Sequence, residues 1–138
     1  SPSRGLGDVY KRQGGCQAEI GSGSGMAAGA ICYIKGGDTD QIGHACAMAL
    51  KNLMGLVCDP VGGLVEVPCV KRNVGGAVNA LAAADMALAG ITSKVPVDQV
   101  IDAMKEVGDK MDVSLRETGV GGVAGTAAAQ EVVEKLGM

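Results

Sequence analysis

The sequence predicts an all-α fold: a compact helical domain with a buried, alanine- and glycine-rich central helix and cysteine-bearing loops. Three observations carry this expectation. Apolar residues recur at three- to four-residue spacing, as in Ile42, Cys46, Ala49, Leu50 and Leu53. Large rings are almost missing: 2 tyrosines, no tryptophan and no phenylalanine in 138 residues, against 23 glycines. Small side chains let helices approach closely and fill the thick core of a β-sandwich poorly. Finally, glycine and proline clusters separate the apolar segments, at 36–37, 58–70, 90–96 and 119–125.

Residues 1–13, SPSRGLGDVYKRQ, are polar, basic and patternless, with no apolar signal-peptide core. They are expected to be a non-native leader or cloning scar, with upstream sequence missing before residue 14. Residues 14–21, GGCQAEIG, read as a loop entering a helix. Residues 22–35, SGSGMAAGAICYIK, are small or apolar nearly all round, the pattern of a buried central helix. Their glycines disfavour the helix by about 1 kcal/mol each relative to alanine, and the expected return is close approach by a neighbour. Gly36 and Gly37 end the segment.

Asp38 or Thr39 then caps a helix reaching about Leu56. The stretch 57–70 follows as a loop, since Pro60 and Pro68 argue against a sheet strand there. Residues 71–89 return to helix, closed by Gly90, and 91–96 connect. Pro96 starts a helix with the apolar stripe Val100, Ile101, Met104 and Val107. Residues 114–125 read as a glycine-rich turn or broken helix, and Thr126 caps a last helix over 127–136. With no internal repeat and no linker, residues 14–138 form one domain or part of one.

A net charge of −3, with no basic stripe interleaved with aromatics, argues against nucleic acid as a partner. No apolar run reaches the roughly 20 residues of a membrane span. Five cysteines without a secretory signal point to thiols for metal or packing in the cytoplasm, rather than a disulfide framework.

The organising stretch is CDPVGGLVEVPCVKRN, residues 58–73. Cys58 and Cys69 sit there in glycine- or proline-flanked positions, and Cys16 sits in a comparable loop, GGCQAE. Spacing alone leaves metal ligation and packing both open for these three, because the chain has no CxxC pair. Cys32 and Cys46 lie within apolar helical segments and read as packing residues. His44, the single histidine, reads as structural. Lys71, Arg72 and Asn73, two to four residues after Cys69, are candidates for binding a substrate carboxylate; the bland reading is a solvated helix start. Glu19 and Glu66 are candidate acids or bases, and otherwise caps or surface groups. The run GVGGVAG at 119–125 follows no strand, which removes the usual context of a phosphate loop.

Four segments give the chain a family resemblance: GGCQAEIGSGSGMAA (14–28), ALKNLMGLVCDPVGGLVEVPCVKRN (49–73), NALAAADMALAGI (79–91), and PVDQVIDAM with LRETGVGG within 96–122. Together they resemble the alpha chain of the iron–sulfur-dependent L-serine dehydratases (L-serine ammonia-lyases), in the form where alpha and beta chains are separate. The resemblance implies a 4Fe–4S cluster on the cysteines matching Cys16, Cys58 and Cys69, with one iron lacking a protein ligand. It implies that this iron binds L-serine, that water is eliminated, and that the product collapses to pyruvate and ammonia in serine catabolism and gluconeogenesis. It further implies a beta-chain partner and an oligomer. The upstream Thr-Ala-Pro-Thr-Asn-Gly-type motif and the beta chain's histidine-containing motif do not occur in this sequence, so no catalytic base is named here. Other readings are an L-cysteine desulfidase on a similar cluster, a structural zinc- or cluster-binding subunit, and a helical domain whose thiols only pack.

Overall fold

The computed structural model describes residues 14–64 and 66–138; the leader expected over residues 1–13 lies outside the described residues. Among the described residues there are five α-helices and no strand. They are α1 (Ser22–Ile34), α2 (Thr39–Asn52), α3 (Cys69–Leu88), α4 (Val97–Lys110) and α5 (Ala127–Lys135). A π-helical turn, Gln17–Gly21, leads into α1, and short 3-10 turns cover Val61–Gly63, Val113–Leu115 and Gly122–Gly125. Among the described residues, no helix is long and apolar enough to cross a membrane.

Helices α1, α2 and α3 pack on one another, α4 lies against α2 and the π-helical turn, and α5 covers the turns at 61–63 and 122–125. The three-helix core is built largely of alanine, with Ala28, Ala45, Ala49, Ala83 and Ala84 fully buried. Small side chains make this closeness possible. A Cβ on Gly76 of α3 would stand 2.8 Å from Ile20 Cγ2. One polar knot ties the three helices. Asn79 Nδ2 donates to Ser24 Oγ (2.9 Å) and to Ala49 O (3.0 Å), and Ser24 Oγ donates to Gly76 O (2.7 Å).

The caps follow the sequence. Asp38, rather than Thr39, caps α2: its carboxylate accepts from Gln41 N (2.8 Å), and Gln41 Oε1 accepts from Asp38 N (3.0 Å). Thr126 Oγ1 accepts from Ala129 N (3.3 Å) at the start of α5. Three differences from the expected elements stand out. Helix α2 stops at Asn52, short of the expected Leu56, because tertiary partners take the next backbone groups: Gln17 N donates to Leu56 O (2.9 Å) and Gly55 N donates to Gln17 Oε1 (2.9 Å). Helix α3 starts at Cys69 rather than 71, as early as Pro68 at its N-cap permits. The central helix α1 is buried on the face carrying Ser24, Gly25, Ala28 and Cys32, whereas Met26, Tyr33 and Ile34 on the other face are 70–79% exposed.

Candidate metal centre

Three backbone devices bring together the cysteines expected in loops, two of which, Cys16 and Cys69, stand at helix starts instead. Cys16 precedes the π-helical turn, an irregularity often found at functional sites. Its neighbour Gln17 is buried and anchors the segment: besides the bonds at Leu56 and Gly55, its Nε2 donates to Met104 O (3.0 Å). Cys58 forms an isolated parallel bridge with Arg116, in which Cys58 N donates to Leu115 O (2.9 Å) and Glu117 N donates to Cys58 O (2.8 Å). Cys69 opens α3. Cys16 and Cys69 thus stand at helix N-termini, where the backbone dipole favours negative charge.

The sulfur atoms of Cys16, Cys58 and Cys69 lie within 4.8 Å of one another. All three residues are buried, at 0%, 0% and 2% exposure, and Ile20, Leu53 and Leu56 pack around them. No disulfide joins the five cysteines. Among the described residues this is the single convergent set of this kind, and it contains no imidazole or carboxylate. Such an all-thiol donor set suits soft metals, zinc or an iron–sulfur cluster, and does not suit hard oxygen-seeking cations. The residues therefore fit a thiolate-ligated cluster.

Cys32 and Cys46 lie apart from this set, in the helical core around α1 and α2. Burial raises both thiols above their ordinary range, and Asp38 adds to the effect at Cys32. A thiol raised by burial ionises less readily, which suits packing better than metal ligation. His44 Nδ1 accepts from Ser93 N (3.1 Å) and so holds the connection after α3, a structural task.

Lys71, Arg72 and Asn73, which follow Cys69 and Val70, diverge. Lys71 is exposed. Asn73 Nδ2 donates to Cys69 O (3.3 Å), and Asn73 borders a hollow of about 250 Å³ together with Glu19, Ile20, Gly23 and Gly76. Arg72 is turned inward. Its Nη1 donates to Asp59 Oδ1 (2.7 Å) and to Val57 O (2.8 Å), and its guanidinium reaches the Cys16 thiol. Burial opposes its charge, but Asp59 and then Cys16 outweigh this, so that the guanidinium is held above its usual pKa. Glu19 stays beside the set, with its Oε2 shielded from solvent. Glu66 is exposed and borders a different hollow, against α5. A larger hollow of about 500 Å³ opens on the other side of the Cys16 turn, between Gln17 and α4.

The sequence of the serine dehydratase alpha chain family matches residues 12–124, a span that contains all three convergent cysteines. The chain belongs to this family. It is 62% identical over 123 residues to the probable L-serine dehydratase alpha chain of Bacillus subtilis (strain 168), covering 89% of this chain and 41% of the relative. Against the probable alpha chain of Latilactobacillus sakei it is 63% identical over 113 residues, covering 82% and 54%. Against the L-serine dehydratase alpha chain of Peptoniphilus asaccharolyticus it is 52% identical over 120 residues, covering 87% and 41%. The chain thus spans about half, or less, of the length of these serine dehydratase alpha chains.

Two residues of this serine dehydratase region escaped the sequence reading. Gln17 and Asp59 each adjoin a cysteine, and both are 2% exposed or less. The legible signal was a polar side chain beside each thiol in an otherwise apolar, glycine-rich stretch.

Proposed function

We propose that this chain is the cluster-bearing part of an L-serine dehydratase alpha chain, converting L-serine to pyruvate and ammonia. The observation that supports this best is the convergence of the Cys16, Cys58 and Cys69 sulfurs, within 4.8 Å of one another, in the region shared with the relatives. These three would hold a 4Fe–4S cluster. When bound, the cluster supplies a Lewis-acidic iron without a protein ligand, which polarises the leaving hydroxyl.

The chain's own residues bind, orient and shield. Three thiolates anchor the group at two helix starts and one backbone bridge. Ile20, Leu53 and Leu56 keep water from the sulfurs, which strengthens electrostatic interactions there. Asn73 is assigned to the substrate's carboxylate, since it borders the hollow of about 250 Å³, which has room for a small amino acid and which Lys71 does not line. The proton-abstracting base is not assigned to this chain. A beta chain completes the site, and the assembly is an oligomer of the cytoplasm.

Anaerobic reconstitution with iron and sulfide tests this reading. Wild type should take up iron and acid-labile sulfide, and the Cys16/Cys58/Cys69 triple alanine variant should not. Added L-serine should perturb the visible spectrum more than L-cysteine does. Equal iron in both proteins would sink the cluster assignment. Zinc uptake in place of iron would favour a structural site, and a stronger response to L-cysteine would favour a desulfidase.

A further inference from the structure

The ligand set leaves one buried charge without a task. Asp59 follows Cys58 directly, and its side chain is 3% exposed. A carboxylate that deep is strongly unfavourable unless both oxygens are engaged, and here both are. Oδ1 accepts from Arg72 Nη1 (2.7 Å), and Oδ2 accepts from Val123 N (2.6 Å). The loop closing over it admits no side chain: Gly122 has φ +61°, and a Cβ there would collide with the Asp59 carboxylate. Asp59 is therefore clamped from two sides.

What Asp59 clamps is a guanidinium aimed at a thiol. Arg72 Nη1 is fixed by two acceptors, Asp59 and Val57 O (2.8 Å), and because the guanidinium is planar this orients the whole fork. The same group reaches Cys16. Three thiolates in a site this closed to solvent concentrate negative charge, and a cation held at fixed range offsets what the bound metal does not. Lys71, the adjacent cation, is exposed and does not share this geometry.

We propose that Asp59 is a positioning residue that fixes Arg72 against Cys16 and thereby sets how firmly, and at what reduction potential, the three thiolates hold their cluster. The inference rests on the cluster reading above. It assigns Arg72 to the ligands rather than to the substrate, and it makes the 122–125 turn part of the centre's support.

The experiment compares the whole wild-type chain with Arg72→Gln, Arg72→Lys and Asp59→Asn after anaerobic reconstitution. It reads the half-time of iron loss to a chelator and the cluster's reduction potential, with circular dichroism confirming helix content. Outer-shell partners of metal ligands typically change retention about tenfold or more. Arg72→Gln and Asp59→Asn should both lose iron about tenfold faster. Arg72→Lys, which keeps the charge without the fork, should fall between Arg72→Gln and wild type. The potential of Arg72→Gln should fall, because removing a neighbouring positive charge disfavours the more negative reduced state. A merely structural role would lower the melting temperature and leave the potential of the surviving cluster in place. Should Arg72→Gln not fold, Arg72→Lys and Asp59→Asn carry the comparison. Variants with wild-type iron retention and potential, in a chain that does take up iron, overturn this inference alone. A wild type without thiol-dependent iron overturns it together with the cluster reading.

Discussion

Cysteine stands in two different settings in this chain. Cys16, Cys58 and Cys69 converge at helix starts and a backbone bridge, whereas Cys32 stands at 0% exposure among alanines. Cys32→Ala should therefore leave iron uptake unchanged and destabilise by about 1 kcal/mol through a small cavity; iron loss in that variant would revise the ligand set. The fold raises the Cys32 thiol above its unfolded value, by burial first and Asp38 second. A raised thiol contributes stability fully below the ordinary thiol range, about pH 8.5, and loses it as pH rises above that range. Melting temperatures of wild type should accordingly decline more steeply than those of Cys32→Ala between about pH 8 and pH 10. Parallel curves would mean that another group governs alkaline stability.

At the scale of the element, α1 separates two kinds of alanine that the sequence presents alike. Ala28 is 0% exposed between α2 and α3, while Ala30 lies on the open face with Met26 and Ile34. Ala28→Asp places an unpaired carboxylate in the core and should abolish folding. Ala30→Asp should fold, with a cost of about 0.5 kcal/mol from helix propensity. Solubility and circular dichroism distinguish the two, and equal tolerance would mean that α1 is not central. The capping box of α2 offers a milder test. Asp38→Ala removes the acceptor for Gln41 N and should destabilise by about 1 kcal/mol in a denaturant titration.

For the whole molecule, the candidate metal centre is where distant segments meet. Residues near 16, 58, 69 and 116 come together there, and α5 braces the turns behind them. A group bound by the folded chain alone stabilises it by mass action. The reconstituted chain should therefore melt higher than the metal-free chain, and the triple cysteine variant should show no difference between the two preparations. A metal-free chain that melts as high as the reconstituted one would show that the segments hold together without the group.

Much of this was legible in the chain. Helical periodicity, caps at Asp38 and Thr126, and glycine and proline breaks are local, so sequence carries them directly. The three cysteines stood out because loop positions flanked by glycine and proline differ from the helical settings of Cys32 and Cys46. Other features are set by partners far along the chain, and no local pattern encodes them. The bridge of Cys58 to Arg116 spans many residues, Gln17 replaces the last turn expected of α2, and Asp59 turns Arg72 inward beneath Gly122. The sequence by itself determined which residue types could bind soft metal and which segments were helical, because spacing and side-chain chemistry are local properties. Only the tertiary structure decided that three thiols share one buried point, which face of α1 is covered, and what Arg72 touches, because burial and hydrogen-bond satisfaction depend on the whole packed chain.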